Sequence, residues 1–88
     1  MYRIEVAKDV DKQFFKLAAK NPELLRQIHN KIEEIEEFPY HFKPLRAPLQ
    51  NKRRVHVGGS FVLIYEIDER LKAVRLVAFE HHDSAYVR

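Results

Sequence analysis

The stretch Phe61–Ile67 is apolar at every position except Glu66. A strand with one wetted face alternates apolar and polar residues, so a run that is apolar on both faces belongs inside a sheet, with neighbours on either side. Those neighbours lie close by in the chain. Lys52–Val57 precedes the run across Gly58-Gly59, two residues that reach positive φ without steric cost, and Ala73–Phe79 follows it across the polar turn Asp68–Lys72. Three strands joined by turns this short form an antiparallel meander.

The first half of the chain has a different period. Tyr2-Arg3-Ile4-Glu5-Val6 alternates like a half-buried strand and is expected at an edge of the sheet. Asp9 is expected to cap a helix in which Val10, Phe14, Leu17 and Ala18 form one apolar stripe. Asn21-Pro22 then stops that helix and starts another, with Asn21 as cap and Pro22 in the first turn. The buried face of the second helix is Leu24, Leu25, Ile28, Ile32 and Ile35, and so short a turn makes the pair a helical hairpin. Phe38-Pro39 ends it, and a loop punctuated by Pro39, Pro44 and Pro48 runs to Asn51. The tail from Glu80 to Arg88 is polar and reads as short helix or coil. The order β-α-α-β-β-β predicts an α+β fold, a helical hairpin on one face of a single four-stranded sheet.

Eighty-eight residues suit one domain over 1–88. Such a chain buries only about 60–65% of its unfolded surface, so any site sits near the surface. Without cysteine, disulfides and thiolate metal sites are excluded, and a reducing compartment fits. No apolar run reaches membrane-spanning length, and Met1 leads into a strand-like segment instead of a signal peptide; a cytoplasmic protein with no membrane partner is expected.

The formal charge of +3 is unevenly placed. Residues 1–37 hold seven Lys/Arg against eight Asp/Glu, and residues 61–88 hold four against five. The segment 38–60 holds Lys43, Arg46, Lys52, Arg53 and Arg54 with no acid. A cationic stretch on a near-neutral background suits a polyanion, nucleic-acid phosphate first, and equally describes a solvated basic loop.

Alternation along Lys52–Val57 puts Val55 and Val57 on one face and Arg54 and His56 on the other. Guanidinium grips phosphate oxygens through paired N–H donors, and imidazole moves protons near neutral pH. The same pair also describes an ordinary polar outer face. His81-His82-Asp83 follows the last strand, where scaffolds often place reactive groups. Adjacent residues on an extended chain point opposite ways and no spaced ligand pattern is present, so no metal site is expected. Tyr86, four residues after His82, would lie beside the imidazole on a helical turn, to stack a base or cover the sheet edge. Lys8, Lys12, Lys16 and Lys20 form a ridge on the first helix, open to phosphate or to the glutamates Glu33, Glu34, Glu36 and Glu37 that end the second.

The order of elements, the segment Arg54-Val55-His56-Val57-Gly58-Gly59-Ser60-Phe61-Val62-Leu63-Ile64-Tyr65-Glu66-Ile67 and the tail His81-His82-Asp83-Ser84-Ala85-Tyr86 resemble the RelE/ParE superfamily of toxins from type II toxin–antitoxin pairs. The resemblance spans nearly the whole chain. It implies a ribosome-dependent mRNA endoribonuclease that inhibits translation, works without metal or small-molecule cofactor, and is neutralised by a cognate RelB-like antitoxin. Its partners would then be antitoxin, ribosome and mRNA. Cleavage in such enzymes proceeds by attack of the ribose 2′-hydroxyl on the adjacent phosphate, leaving a 2′,3′-cyclic phosphate. On matching positions the resemblance makes His82 the general acid, His56 base or charge stabiliser, Arg54 phosphate clamp and Tyr86 stacking or orienting residue. Lys43, Arg46, Lys52 and Arg53 would bind RNA.

One position departs from the pattern. Ribosome-dependent members often carry Arg after the aromatic of the central strand, where this chain has Val62. The departure keeps open the ParE-like branch, whose resemblance implies inhibition of DNA gyrase by binding, without RNA cleavage.

Overall fold

The computed structural model describes residues 1–46 and 51–85. In chain order the elements are β1 (Arg3–Val6), α1 (Lys8–Lys20), α2 (Pro22–Glu37), β2 (Lys43–Pro44), β3 (Lys52–Val57), β4 (Phe61–Asp68), β5 (Ala73–His81) and α3 (His82–Ala85). They build one sheet in the order β1-β5-β4-β3-β2, parallel between β1 and β5 and antiparallel elsewhere. The apolar run is the central strand, and β1 takes an edge as its alternation requires.

The sheet has five strands where the sequence pattern predicts four. The added strand is β2, which pairs Lys43 with Arg54 and Pro44 with Arg53 on the open edge of β3, continued by Leu45 N–H donating to Lys52 C=O at 2.9 Å. A two-residue strand holding a proline carries no periodic signal. Proline is tolerated there because an outer edge needs no further donor. The last strand also runs past Phe79 to His81.

The hairpin packs on one sheet face. Val10 and Phe14 of α1 and Leu24, Ile28 and Ile35 of α2 meet Val55, Val57, Leu63, Tyr65, Val74, Leu76 and Phe79. Leu25, Ile32 and Leu17 are partly buried at its margin, and Ala18 is exposed, outside the stripe expected for it. Along β5 the inward residues Leu76 and Phe79 are three apart, which strict alternation forbids. A bulge resolves this: Tyr65 pairs with Leu76 and Ile64 with Ala78, leaving Val77 as the extra residue.

Asn21 closes α1 and opens α2, its side chain accepting from Leu24 N–H at 3.1 Å with Pro22 next in line. Asp9 does not cap α1. The helix begins at Lys8 with Ala7 in the capping position, and Asp9 lies within the first turn, where a carboxylate still favours the helix dipole. Gly58 and Gly59 have φ of +64° and +79°. A β-carbon on Gly58 would stand 2.7 Å from Leu24 Cδ1, so this turn sits directly on the start of α2.

The buried Tyr65 hydroxyl donates to Pro39 C=O at 2.5 Å, and burial pushes its phenol up to about 12. At the same end, the Glu69 carboxylate accepts from the hydroxyls of Tyr2 and Tyr40 and from Lys72. Those donors hold Glu69 down to about 2, Lys72 contributing most.

Candidate functional site

The face of the sheet turned away from the hairpin carries the candidate residues. In β3, Val55 and Val57 are buried against the helices, whereas His56 is exposed and Arg54 half-buried on the outer side. The β3–β4 register sets His56 beside Val62, and the β4–β5 register sets Val62 beside Glu80. Arg54 lies two residues from His56, about 7 Å along the strand. On its other side β2 places Lys43 directly opposite Arg54.

His82 reaches this row from the end of β5. Its backbone N–H donates to Ser60 C=O at 2.7 Å, tying the start of α3 to the β3–β4 turn. The His82 ring then lies 5.3 Å from the His56 ring, centroid to centroid, tilted by 32°. The preceding His81 points to the other face and meets the Phe61 ring edge-on at 5.7 Å, and Phe61 stacks on Phe79 at 5.1 Å. Opposite orientation of adjacent residues, expected from strand geometry, separates the two histidines. Asp83 stands 3.6 Å from His82 Nδ1 and 4.0 Å from His81 Nδ1, fully open to solvent, where such pairings contribute little. Among the described residues, no group of three or more His, Asp or Glu is placed to hold a metal ion.

The remaining basic residues separate by what holds them. Arg53 lies on the valine face; its Nη1 donates to Phe42 C=O at 2.7 Å and its guanidinium lies 5.0 Å from the Tyr40 ring, bracing the loop that leads into β2. Lys52 Nζ is 3.2 Å from Glu66 on the neighbouring strand. Arg46 is exposed just beyond β2. Tyr86 lies outside the described residues. The structure therefore brings Arg54, His56 and His82 to one face, with Lys43 at its margin, and turns Arg53 away.

One residue of this face escaped the sequence reading. Glu80 shares the row of His56 and Val62, and one of its carboxylate oxygens is shut off from solvent. The signal was available: Phe79 is inward, so Glu80 must be outward. Val62, beside His56 and Glu80 on this face, is fully buried.

A groove of about 510 Å³ lies at the opposite end of the sheet among Glu5, Glu66, Asp68, Glu69 and Arg75, and a second of about 440 Å³ lies among Tyr2, Phe38, Pro39 and Tyr40. Two imidazoles in van der Waals range beside a guanidinium can bind a phosphodiester and exchange protons with it; the acidic end cannot. No helix among the described residues is long and apolar enough to cross a membrane.

Known proteins share this fold. The candidate toxin RelE4 of Methanocaldococcus jannaschii is 44% identical over 86 residues, covering 98% of this chain and 92% of its own. Among solved structures, the RelBE2 toxin–antitoxin complex of Mycobacterium tuberculosis superposes with a TM-score of 0.74 at 22% identity, over 92% of this chain and 98% of that one. The intact RelBE toxin–antitoxin complex of Escherichia coli superposes with a TM-score of 0.76 at 16% identity, over 91% and 95%. At those identities the structures show a common fold. The sequence profile of the ParE toxin of type II toxin–antitoxin systems matches residues 2–86, nearly the whole chain, and so the protein belongs to that toxin family.

Proposed function

We propose that this toxin is an endoribonuclease that cuts mRNA on the ribosome, in the cytoplasm, and that a RelB-like antitoxin restrains it. The observation that carries the reading is the 5.3 Å approach of His82 to His56 on the face that also holds Arg54. RNA cleavage by internal transesterification needs a base for the ribose 2′-hydroxyl, an acid for the departing 5′ oxygen and positive charge on the phosphorane between them. His56 takes the 2′-hydroxyl proton as that oxygen attacks phosphorus. The bond to the 5′ oxygen breaks as His82 donates its proton, leaving a 2′,3′-cyclic phosphate and a 5′-hydroxyl. Arg54 clamps the non-bridging oxygens, and Tyr86 stacks on a flanking base.

With Val62 in the place where related enzymes often carry Arg, a second cation must come from elsewhere. Lys43 is the best placed, opposite Arg54 and on the same face. Arg46 extends the basic surface along the RNA backbone, whereas Lys52 is held by Glu66 and Arg53 braces the loop before β2.

The test is primer extension on ribosome-bound mRNA with purified protein. Cleavage by the wild-type chain and none by His82→Ala supports the assignment; intact message at toxic doses refutes it. The ParE description of the matching profile favours a second reading, gyrase inhibition by binding alone. A supercoiling assay run beside the first separates the two.

A further inference from the structure

Of the pair His81-His82, the reaction proposed above uses only His82. His81 faces the hairpin side of the sheet, where strand alternation sends it, yet 54% of its side chain is open to solvent. What it rests on is rigid. His81 pairs with Phe61 across β4 and β5, and the two rings meet edge-on at 5.7 Å. Phe61 stacks on Phe79 at 5.1 Å, and Phe79 meets Phe14 of α1 edge-on at 5.7 Å. A column of rings thus runs from the packing beneath the hairpin to the end of the sheet and finishes in an exposed imidazole. The main-chain N–H of Asp83 donates to His81 Nδ1 at 3.4 Å, which holds that ring from the side of α3.

The main chain also fixes where this ring lies relative to the reaction. The bond from His82 N–H to Ser60 C=O anchors the junction of β5 and α3 on the β3–β4 turn. His81 and His82 leave that junction on opposite sides, with Cα atoms only about 3.8 Å apart. The turn beside them leaves room, since a β-carbon on Gly59 would meet nothing within 4 Å. In the proposed reaction His56 serves the nucleotide that bears the attacking 2′-hydroxyl, and His82 serves the one whose 5′ oxygen leaves. A strand that continues past His82 around the end of the sheet brings the base of that 3′ nucleotide to His81. Flat rings hold unpaired RNA bases by stacking, with little regard to which base it is. We propose that His81, backed by Phe61, is a stacking platform for the base on the 3′ side of the scissile phosphate and carries no proton in the reaction. The inference rests on the RNA-cleavage reading and adds a second stacking position to the one given to Tyr86.

The test is single-turnover cleavage of ribosome-bound message at increasing toxin concentration. One message is complete and the other is abasic at the nucleotide 3′ to the cut. On the complete message His81→Ala raises the half-saturating concentration about 10-fold and keeps the maximal rate within about 2-fold. On the abasic message the variant and the wild type half-saturate together, because the contact is already missing; the cycle isolates ring against base. His81→Phe keeps a flat ring without the ring nitrogens and stays within about 3-fold of the wild type on the complete message. Wild-type half-saturation in His81→Ala overturns the proposal. So does a loss of equal size on both messages, which would mean that the ring acts through the fold. A fall in maximal rate at unchanged half-saturation, not restored by His81→Phe, overturns it as well, since His81 would then belong to the proton transfers. Failure of the wild-type chain to cut any message refutes the nuclease reading itself, and no variant is needed to see it.

Discussion

The backbone N–H of His82 donates to the carbonyl of Ser60 at 2.7 Å, and this bond joins the two ends of the face that holds His56 and His82. Ser60 closes the turn between β3 and β4, while His82 leaves β5 for α3. Holding them together swings the His82 imidazole to within 5.3 Å of His56. Because the bond is between main-chain groups, the site survives replacement of either imidazole. His82→Ala and His56→Ala are therefore expected to fold and bind antitoxin normally while losing roughly 10²–10⁴-fold in single-turnover RNA cleavage. Full growth arrest by His82→Ala in cells would remove it from the reaction.

The glycine turn beneath that bond gives a structural prediction. Gly58 adopts a φ of +64°, and an added β-carbon would meet Leu24 Cδ1 at 2.7 Å. Gly58→Ala therefore combines backbone strain with a clash against the first turn of α2, at a cost of about 1–3 kcal/mol. Gly59, at +79° with open space around it, carries the strain alone, so Gly59→Ala costs less. Chemical denaturation of the two variants measures the difference.

Much of this was legible in the residues. The helical hairpin followed from Asn21-Pro22 between two amphipathic stripes, and the central strand from Phe61–Ile67, because burial leaves a periodic trace. The facing of Arg54 and His56 followed from alternation against Val55 and Val57. What alternation cannot carry is a displacement across the chain. Nothing local says that Lys43-Pro44 pairs with β3, that Val77 is extruded as a bulge, or that Val62 is buried on the outward face. The division of labour among the basic residues was equally hidden. Alternation sets Arg54 outward and Arg53 on the valine face, but only the structure shows that Arg53 is taken up in bracing a loop.

Glu69 yields a prediction on acid stability. Its carboxylate accepts from Lys72, Tyr40 and Tyr2, joining the β4–β5 turn to the loop after α2 and to the chain start, and its pKa falls from the ordinary 4.5 to about 2. A folded-state value below the unfolded one stabilises the protein above pH 4.5, and that contribution is lost as the pH falls from about 4.5 through about 2. Glu69→Gln should melt below the wild type at pH 7, and the two melting curves should converge near pH 2. A constant difference across that range would mean that the charge of Glu69 is not what stabilises this end.

Lys43 and Lys52 provide the sharpest separation between cations that meet RNA and cations that hold the sheet. Both lie in the acid-free segment, and both come from strands at the same side of the sheet. Lys52 Nζ is 3.2 Å from Glu66, so its charge is compensated before any ligand arrives. Lys43 stands opposite Arg54, where no carboxylate occupies the matching place on the outer face of β3. Neutralising a phosphate releases condensed counterions, and each contact adds about 0.7 to the slope of log affinity against log salt for single-stranded RNA. Lys43→Ala should therefore weaken ribosome binding and lower that slope by about 0.7, whereas Lys52→Ala should leave the slope almost unchanged. Equal slopes for Lys43→Ala and the wild type would take Lys43 out of the RNA-binding surface and leave Arg54 to hold the phosphate without it.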